Sequence, residues 1–169
     1  VVRATDGQGN TSDQTVTVTV ANVDEVAPAI TGPSGGAGAA NSSVTVNENQ
    51  TAVASFSADE AVSWSLAGGT DQGSFSLSAG GVLTFTAAPD YESPSDSDGN
   101  NSYVVVVRAT DGSGNTADQT VTVTVANLDE VAPTITGPSG GAGAANSSVT
   151  VNENQTAVAS FSANEAVSW

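Results

Sequence analysis

The chain has 169 residues and a formal net charge of −16, from two Lys or Arg against 18 Asp or Glu. It contains no Cys, His or Met, so disulfides, zinc or haem sites and His-based catalytic triads lack their residues. The negative charge repels phosphate and anionic membrane surfaces, which excludes nucleic acid as a favourable partner, and no stretch approaches the 18 apolar residues of a membrane span.

The excess of carboxylates has two interpretations. Acids without compensating bases need either bound cations or full exposure to water and salt. Hard divalent cations are the metals that carboxylates favour. The charge therefore indicates either metal sites or a solubilising acidic surface.

An internal repeat organises the chain. Residues 1–64 recur at 106–169 with an offset of 105, and only five of the 64 aligned positions differ. A period of this length is a whole domain rather than one turn of a solenoid. We expect the C-terminal strands of one repeat at 1–25, a complete repeat at 26–130 and the N-terminal strands of the next at 131–169. Because a half-sandwich exposes its core face, neither terminal fragment should fold alone.

Apolar and polar residues alternate with period two through the complete repeat, as in the Thr-Val run at 120–125. Such alternation is typical of strands with one buried face. Strands are predicted at 44–47, 52–58, 62–66, 74–77, 82–86, 103–110 and 120–125. Gly80-Gly81 predicts a tight turn between two of them, and the uncharged segment 31–41 is either a long surface loop or an irregular first strand. Seven strands in about 100 residues predict an all-β, seven-stranded antiparallel β-sandwich.

The phase of the alternation selects the core residues. Trp64 is interpreted as a core residue in preference to a platform for a ligand. The predicted core consists of Phe56, Val62, Trp64, Leu66, Phe75, Leu83, Phe85, Tyr103, Val105, Val107 and Ala109.

Three strands carry core-facing residues at every second position, and the next position in each of these rows is an acid. The acids are Glu48, Glu60 and Asp111. An acid at the end of a buried row lies at a pole of the sandwich, where partial burial makes an unpaired charge costly. Further acids lie at Asp90 and Glu92, and in the segment 127–130 after the last strand. We therefore expect carboxylates to converge at the poles.

Four short motifs resemble those of the cadherin repeat, and most closely the cadherin-like repeats of large bacterial surface proteins. They are Val-Asn-Glu-Asn at 46–49, Pro-Asp-Tyr-Glu at 89–92, Arg-Ala-Thr-Asp at 108–111 and Asn-Leu-Asp-Glu-Val-Ala-Pro at 127–133. The resemblance covers 26–130 and implies a cadherin- or immunoglobulin-like sandwich.

The resemblance also implies Ca²⁺ between successive repeats. The downstream ligands that it implies are Glu48, Asp90, Glu92, Asn127, Asp129 and Glu130. The upstream ligands are Asn22, Asp24 and Glu25 of the linker with Glu60 and Asp111, and Glu165 is the counterpart of Glu60 in the following repeat. The family's second acid after Glu60 is missing and both linkers begin with Asn instead of Asp, so we expect one or two ions per junction.

The segment 96–101, Asp-Ser-Asp-Gly-Asn-Asn, is a separate candidate. Its oxygen donors Asp96, Asp98 and Asn100 alternate around a Gly as at the start of a calcium loop. The same residue types also form good turns without a metal. Both interpretations stay open.

The resemblance implies a non-catalytic, calcium-rigidified repeat in the stalk of an extracellular bacterial adhesin or surface filament, with neighbouring repeats as partners. An alternative is adhesion by the repeat itself, to other copies or to surface glycans, through Val104, Val106 and the uncharged segment 31–41. A glycosidase that uses Asp90 and Glu92 is the least favoured hypothesis, since a small sandwich implies no deep pocket.

Overall fold

A computed structural model describes all residues from 1 to 169. The chain divides into two compact units, Val1–Asn127 and Leu128–Trp169. The secondary structure is β apart from one 3₁₀ turn at Gln72–Ser74. The all-β prediction is therefore confirmed.

No helix of the chain has the length and apolar character that crossing a membrane requires.

The first unit contains the predicted repeat from residue 26 to Asn127 and the hairpin that precedes it. Its strands are β1 Val2–Thr5, β2 Thr11–Gln14, β3 Ile30–Thr31, β4 Asn41–Asn47, β5 Ala52–Ser55, β6 Ser57–Ala58, β7 Ser63–Gly68, β8 Phe75–Leu77, β9 Val82–Phe85, β10 Ser102–Thr110 and β11 Thr116–Ala126. The second unit has β12 Ile135–Thr136 paired with β13 Ser162–Ala163.

A four-stranded sheet in the order β4-β11-β10-β7 and a three-stranded sheet in the order β5-β9-β8 form the repeat, with β3 paired to β6. One pairing differs from the antiparallel prediction, because β4 runs parallel to β11. Consecutive strands joined by a tight hairpin must be antiparallel, but β4 and β11 lie far apart in sequence and no hairpin fixes their relative direction. The predicted sandwich is confirmed with this one parallel edge.

The predicted strand at 52–58 is interrupted at Phe56. The Phe56 backbone N–H donates to the Gly81 carbonyl at 2.8 Å, next to the Ser55–Val82 pair of β5 and β9, and beyond this contact the chain continues as β6 beside β3. Gly81 has φ of +77°, and a Cβ at this position would lie 2.7 Å from the Phe56 oxygen and 3.1 Å from the Trp64 ring. Glycine is therefore required at this contact.

The core lies between the sheets and centres on three aromatic rings. Phe75 stacks on Phe85 with ring centroids 4.7 Å apart, and Tyr103 meets Phe85 edge-on at 5.1 Å. Most predicted core residues are buried, but Val62, Trp64 and Leu66 are only partly buried at its edge. The sequence prediction missed Ile30, because it left the neighbouring segment 31–41 as a loop or an irregular strand.

Both arginines form ion pairs across a hairpin. Arg108 on β10 contacts Asp118 on β11 at 2.7 Å, and Arg3 on β1 contacts Asp13 on β2 at 2.6 Å. Each guanidinium group is therefore paired with an acid on the outer face of its own hairpin. The remaining carboxylates have no Lys or Arg to neutralise them.

Candidate metal centres

The upstream cluster consists of Asp24, Glu60 and Asp111. Asp24 lies in the linker, Glu60 lies in the bend after β6, and Asp111 directly follows β10. One carboxylate oxygen from each residue lies within 4.8 Å of the others. The fold thus converges three acids that are far apart in sequence.

Asp111 is buried and organises the turn between β10 and β11. Its Oδ1 accepts the backbone N–H groups of Ser113 and Asn115 at 2.8 Å, and its Oδ2 accepts the Asn115 amide at 2.7 Å. The amide hydrogen bond is the largest influence on the pKa of Asp111 and lowers it, with further lowering from the backbone donors against partial desolvation. These bonds favour the charged form.

Asn115 also ties the linker to this pole. Its Nδ2 donates to the Asp24 carbonyl at 2.9 Å while bonding to the Asp111 carboxylate. Sequence reasoning missed this residue, and the usable signal was its place at the end of a Gly-x-Gly-Asn turn directly after the acid. The same turn recurs at Asp6, whose carboxylate accepts the Asn10 amide at 2.8 Å.

Glu60 differs from the prediction, since it is exposed instead of partly buried. The alternation persists through Ala58 at the end of β6, but the chain bends at 59–60, so Glu60 does not continue the core-facing row. Partial desolvation raises the pKa of Glu60, and the charges of Asp24, Asp111 and Asp59 raise it further. Mutual repulsion is therefore present in the upstream cluster.

The downstream cluster consists of Glu48, Asp90 and Glu92, which also bring one oxygen each within 4.8 Å. Glu48 is only 2% exposed at the end of β4, and its Oε2 accepts the Tyr91 backbone N–H at 2.8 Å. The Asp90 Oδ1 accepts the Ser93 N–H at 3.0 Å. The segment 90–93 is thus folded around the Glu48 carboxylate.

Asn127 joins the downstream cluster to the start of the linker, because its amide donates to the Glu92 carboxylate. Asp111 follows β10 and Asn127 follows β11, and these two strands are antiparallel. The two clusters therefore lie at opposite poles of the repeat, each beside a linker.

The donor sets fit calcium. Ca²⁺ binds carboxylate and carbonyl oxygens at about 2.3–2.6 Å, so two oxygens on one ion lie at most about 5 Å apart. The 4.8 Å limit in both clusters satisfies this requirement. Both arginines are bound elsewhere, so no Lys or Arg of the chain neutralises these acids.

The other predicted ligands fall outside these two groups. Asn22 and Glu25 are exposed in the upstream linker, and Asp129, Glu130 and Glu165 are exposed in the second unit. The carboxylates of Asp24 and Asp129 accept the backbone N–H two residues further on, at 3.1 and 3.0 Å. The two linkers thus repeat one local turn, and metal binding by these residues stays a prediction.

The segment 96–101 forms a compact loop through its own side chains. Asp96 accepts the backbone N–H groups of Asn100 and Asn101 at 2.8 and 3.2 Å, and the Asn100 amide donates to Asp98 at 2.8 Å. The hydrogen bond with Asp96 raises the pKa of Asp98. These hydrogen bonds agree with the interpretation of the segment as a turn. Metal binding by this loop stays a prediction.

Asp71 is a buried acid that the sequence prediction missed. Its carboxylate accepts the backbone N–H groups of Ser97 at 2.7 Å and Val104 at 2.8 Å, and the Thr70 hydroxyl at 2.9 Å. Burial opposes its charge, but these donors outweigh the burial and lower the pKa of Asp71. Asp71 therefore fastens the 96–101 loop to β10.

The two copies of the repeat differ at one acidic position, which is Asp59 in the first copy and Asn164 in the second. The Asp59 Oδ1 accepts the Ala29 N–H at 2.7 Å, and in the second unit the Asn164 Oδ1 accepts the Thr134 N–H at 2.6 Å. Because Asn serves equally as the acceptor, this position does not need a negative charge.

The outward valines proposed for lateral adhesion are half-buried on β10. Val104 and Val106 alternate with the buried core residues of that strand. Contact with other copies or with glycans through these valines stays a prediction.

Comparison with known proteins identifies the fold. The family model described as "Bacterial Ig domain" matches residues 31–124. The extracellular domain of protocadherin GammaB4 is 23% identical with a TM-score of 0.51, over 71% of this chain and 19% of that one. Domains EC22-24 of mouse cadherin-23 are 20% identical with a TM-score of 0.50, over 67% and 37% of the two chains. No curated protein sequence matches the chain.

Proposed function

The chain belongs to the bacterial Ig domain family, and on that basis we propose that its repeat is a non-catalytic, calcium-rigidified structural unit of an extracellular, adhesion-type protein of the bacterial surface. The observation that carries the proposal is the pair of three-carboxylate clusters, one at each pole and each beside a linker. The cadherin-like fold supports it, since the similar protocadherin structure is an extracellular domain.

The mechanism is electrostatic. Two carboxylates about 4 Å apart repel by roughly 4 kcal/mol at an effective dielectric constant of 20, so a group of three resists convergence. Bound calcium supplies the positive charge and the oxygen coordination that allow the acids to converge. In the proposed upstream site Asp111 is held by backbone donors, while Asp24 and Glu60 come from other segments.

Each site then limits the motion of a linker. At the upstream pole the linker is already anchored through the Asn115 hydrogen bond to the Asp24 carbonyl, and ligation by the Asp24 carboxylate adds a second attachment. At the downstream pole Asn127 contacts Glu92, so ordering Glu92 also orders the first residue of the next linker. Neighbouring repeats would thereby hold a fixed relative angle.

Thermal unfolding and limited proteolysis of the 169-residue chain test this function. In millimolar calcium we expect a higher melting temperature and slower cleavage at linker residues 22–26 and 127–131 than in chelator. Magnesium is the control, because its smaller octahedral shell suits an all-protein carboxylate site poorly. Identical melting temperatures and identical cleavage patterns in calcium and chelator would contradict the proposal.

A further inference from the structure

Three Asp-Gly pairs occur in the sequence, at 6–7, 98–99 and 111–112. In such a pair the glycine nitrogen can attack the side-chain carboxyl carbon of the preceding aspartate, because glycine has no Cβ to hinder the approach. The product is a cyclic imide, which water opens to normal aspartate or to isoaspartate. All three pairs carry the residues for this reaction, so the fold decides which of them reacts.

The fold restrains the carboxyl group of Asp111. Its two oxygens accept the backbone N–H groups of Ser113 and Asn115 and the Asn115 amide, and Asp111 is only 8% exposed. Asp6 repeats the arrangement, since its carboxylate accepts the Asn10 backbone N–H at 2.9 Å and the Asn10 amide at 2.8 Å. Either carboxyl group must give up these hydrogen bonds before it can form an imide, which opposes the reaction at both pairs.

The carboxyl group of Asp98 is less restrained. Asp98 is exposed, and its carboxylate accepts the Asn100 side-chain amide at 2.8 Å. The backbone N–H groups of Asn100 and Asn101 donate to the Asp96 carboxylate, at 2.8 and 3.2 Å. Asp96 therefore maintains the turn, and the Asp98 carboxyl group can rotate toward Gly99 with the loss of one side-chain hydrogen bond.

The space around Gly99 also permits the reaction. A Cβ at this position would meet no atom within 4 Å, and its φ of +71° is one that glycine adopts without strain. Gly7 and Gly112 are equally uncrowded. The three pairs thus differ in the restraint on the aspartate and not in the access to the glycine.

We propose that Asp98 is a site of spontaneous modification to isoaspartate in the folded protein, and that Asp6 and Asp111 keep their normal linkage. A bond forms between the Gly99 nitrogen and the Asp98 Cγ, and one Cγ–O bond breaks as that oxygen leaves as water with the amide proton and the carboxyl proton. Water then adds to the main-chain carbonyl carbon of Asp98, whose bond to the Gly99 nitrogen breaks. The net reaction is an isomerisation in which water is the only co-reactant.

The modification changes the loop and not the sandwich. It inserts one methylene carbon into the main chain between residues 98 and 99 and displaces the carboxylate from the Asn100 amide. No residue of the hydrophobic core and no member of either carboxylate cluster lies in 96–101. The proposal is therefore independent of the calcium sites, and its test is separate from theirs.

Prolonged incubation of the 169-residue chain at neutral pH in chelator tests the proposal. Electron-transfer fragmentation of its proteolytic peptides measures the isoaspartate fraction at each Asp-Gly pair. In the folded protein the fraction at residue 98 should exceed those at 6 and 111 several-fold. In denaturant, where the hydrogen bonds of the fold are lost, the three pairs should react at similar rates. A fraction at 98 no larger than the other two in the folded protein, or the same preference in denaturant, would overturn the proposal.

Two variants assign the signal and its cause. Asp98→Glu keeps the negative charge, but its longer side chain forms the cyclic imide far more slowly, so the isoaspartate signal at this pair should be lost. Asn115→Ala removes the amide that holds the Asp111 carboxylate, so the fraction at 111 should rise while that at 98 stays unchanged. A signal that persists in Asp98→Glu, or a fraction at 111 that Asn115→Ala does not raise, would contradict the proposal.

Discussion

The upstream and downstream clusters each contain three carboxylates, but different contacts hold these carboxylates in place. Glu48 of the downstream cluster is buried and receives a backbone N–H from the segment that carries Asp90 and Glu92. In the upstream cluster the buried acid is Asp111, and Asn115 links it to the linker at the Asp24 carbonyl. Downstream substitutions should therefore affect folding of the repeat, whereas upstream substitutions should affect the linker and the response to calcium.

The largest effect is expected for Glu48→Ala. It leaves the part-buried Tyr91 N–H without its acceptor, which costs about 1–3 kcal/mol of unfolding free energy even in chelator. Chemical denaturation of the two proteins in chelator measures this cost. Glu48→Gln is the control, since it keeps an acceptor oxygen and should lose the calcium response with a smaller loss of apo stability. Equal apo stability of wild type and Glu48→Ala would remove the proposed difference between the poles.

Asn115→Ala should have a smaller effect of about 1 kcal/mol, because it removes the hydrogen bonds to the Asp111 carboxylate and the Asp24 carbonyl. The matched variant is Asn10→Ala, which removes the equivalent bond to Asp6 in the preceding hairpin. Protease cleavage within 22–26 should accelerate only in Asn115→Ala. Equal acceleration in both variants would show that the linker is not held through Asn115.

Glu60→Gln should change stability in opposite directions with and without calcium. In chelator it removes repulsion with Asp24 and Asp111 and should raise the melting temperature slightly. In millimolar calcium it removes a ligand and should lower the melting temperature relative to the wild type. Asp59→Asn is the control, since the second copy of the repeat carries Asn at this position, and it should change little. The same sign in both conditions would contradict the upstream site.

Asp71, which belongs to neither cluster, gives a pH-dependent reference. Its pKa is lowered in the folded state, so the carboxylate stabilises the fold above its unfolded pKa of about 3.9, and this stability is lost as pH falls through the lower folded pKa. The stability difference between wild type and Asp71→Asn, followed in chelator by denaturation, should therefore shrink as the pH falls below about 4. A difference that grew toward low pH would contradict this assignment.

Much of the repeat could be predicted from the alternation of apolar and polar residues. That pattern placed Glu48 and Asp111 at the ends of buried rows, where the structure has them. It failed for Glu60 because the chain bends at 59–60 directly after β6, and only the fold reveals that bend. The parallel pairing of β4 with β11 could not be predicted either, since alternation shows which face of a strand is buried and not which strand lies beside it.

The roles of Asp71 and Asn115 depend on contacts between segments distant in sequence, which a local pattern does not contain. Sequence patterns therefore identify the residues that a strand can bury, and contacts between distant segments become visible only in the fold.

Direct counting of bound calcium tests the central claim most simply. Equilibrium dialysis of the 169-residue chain against radioactive calcium should show saturable binding with dissociation constants of about 10⁻⁴–10⁻³ M, the range of extracellular modules. The double variant Glu48→Gln, Glu60→Gln, with one acid neutralised at each pole, should lose this binding. A wild type that binds no calcium at millimolar concentration, or a double variant that binds as much as the wild type, would contradict calcium sites at the two clusters.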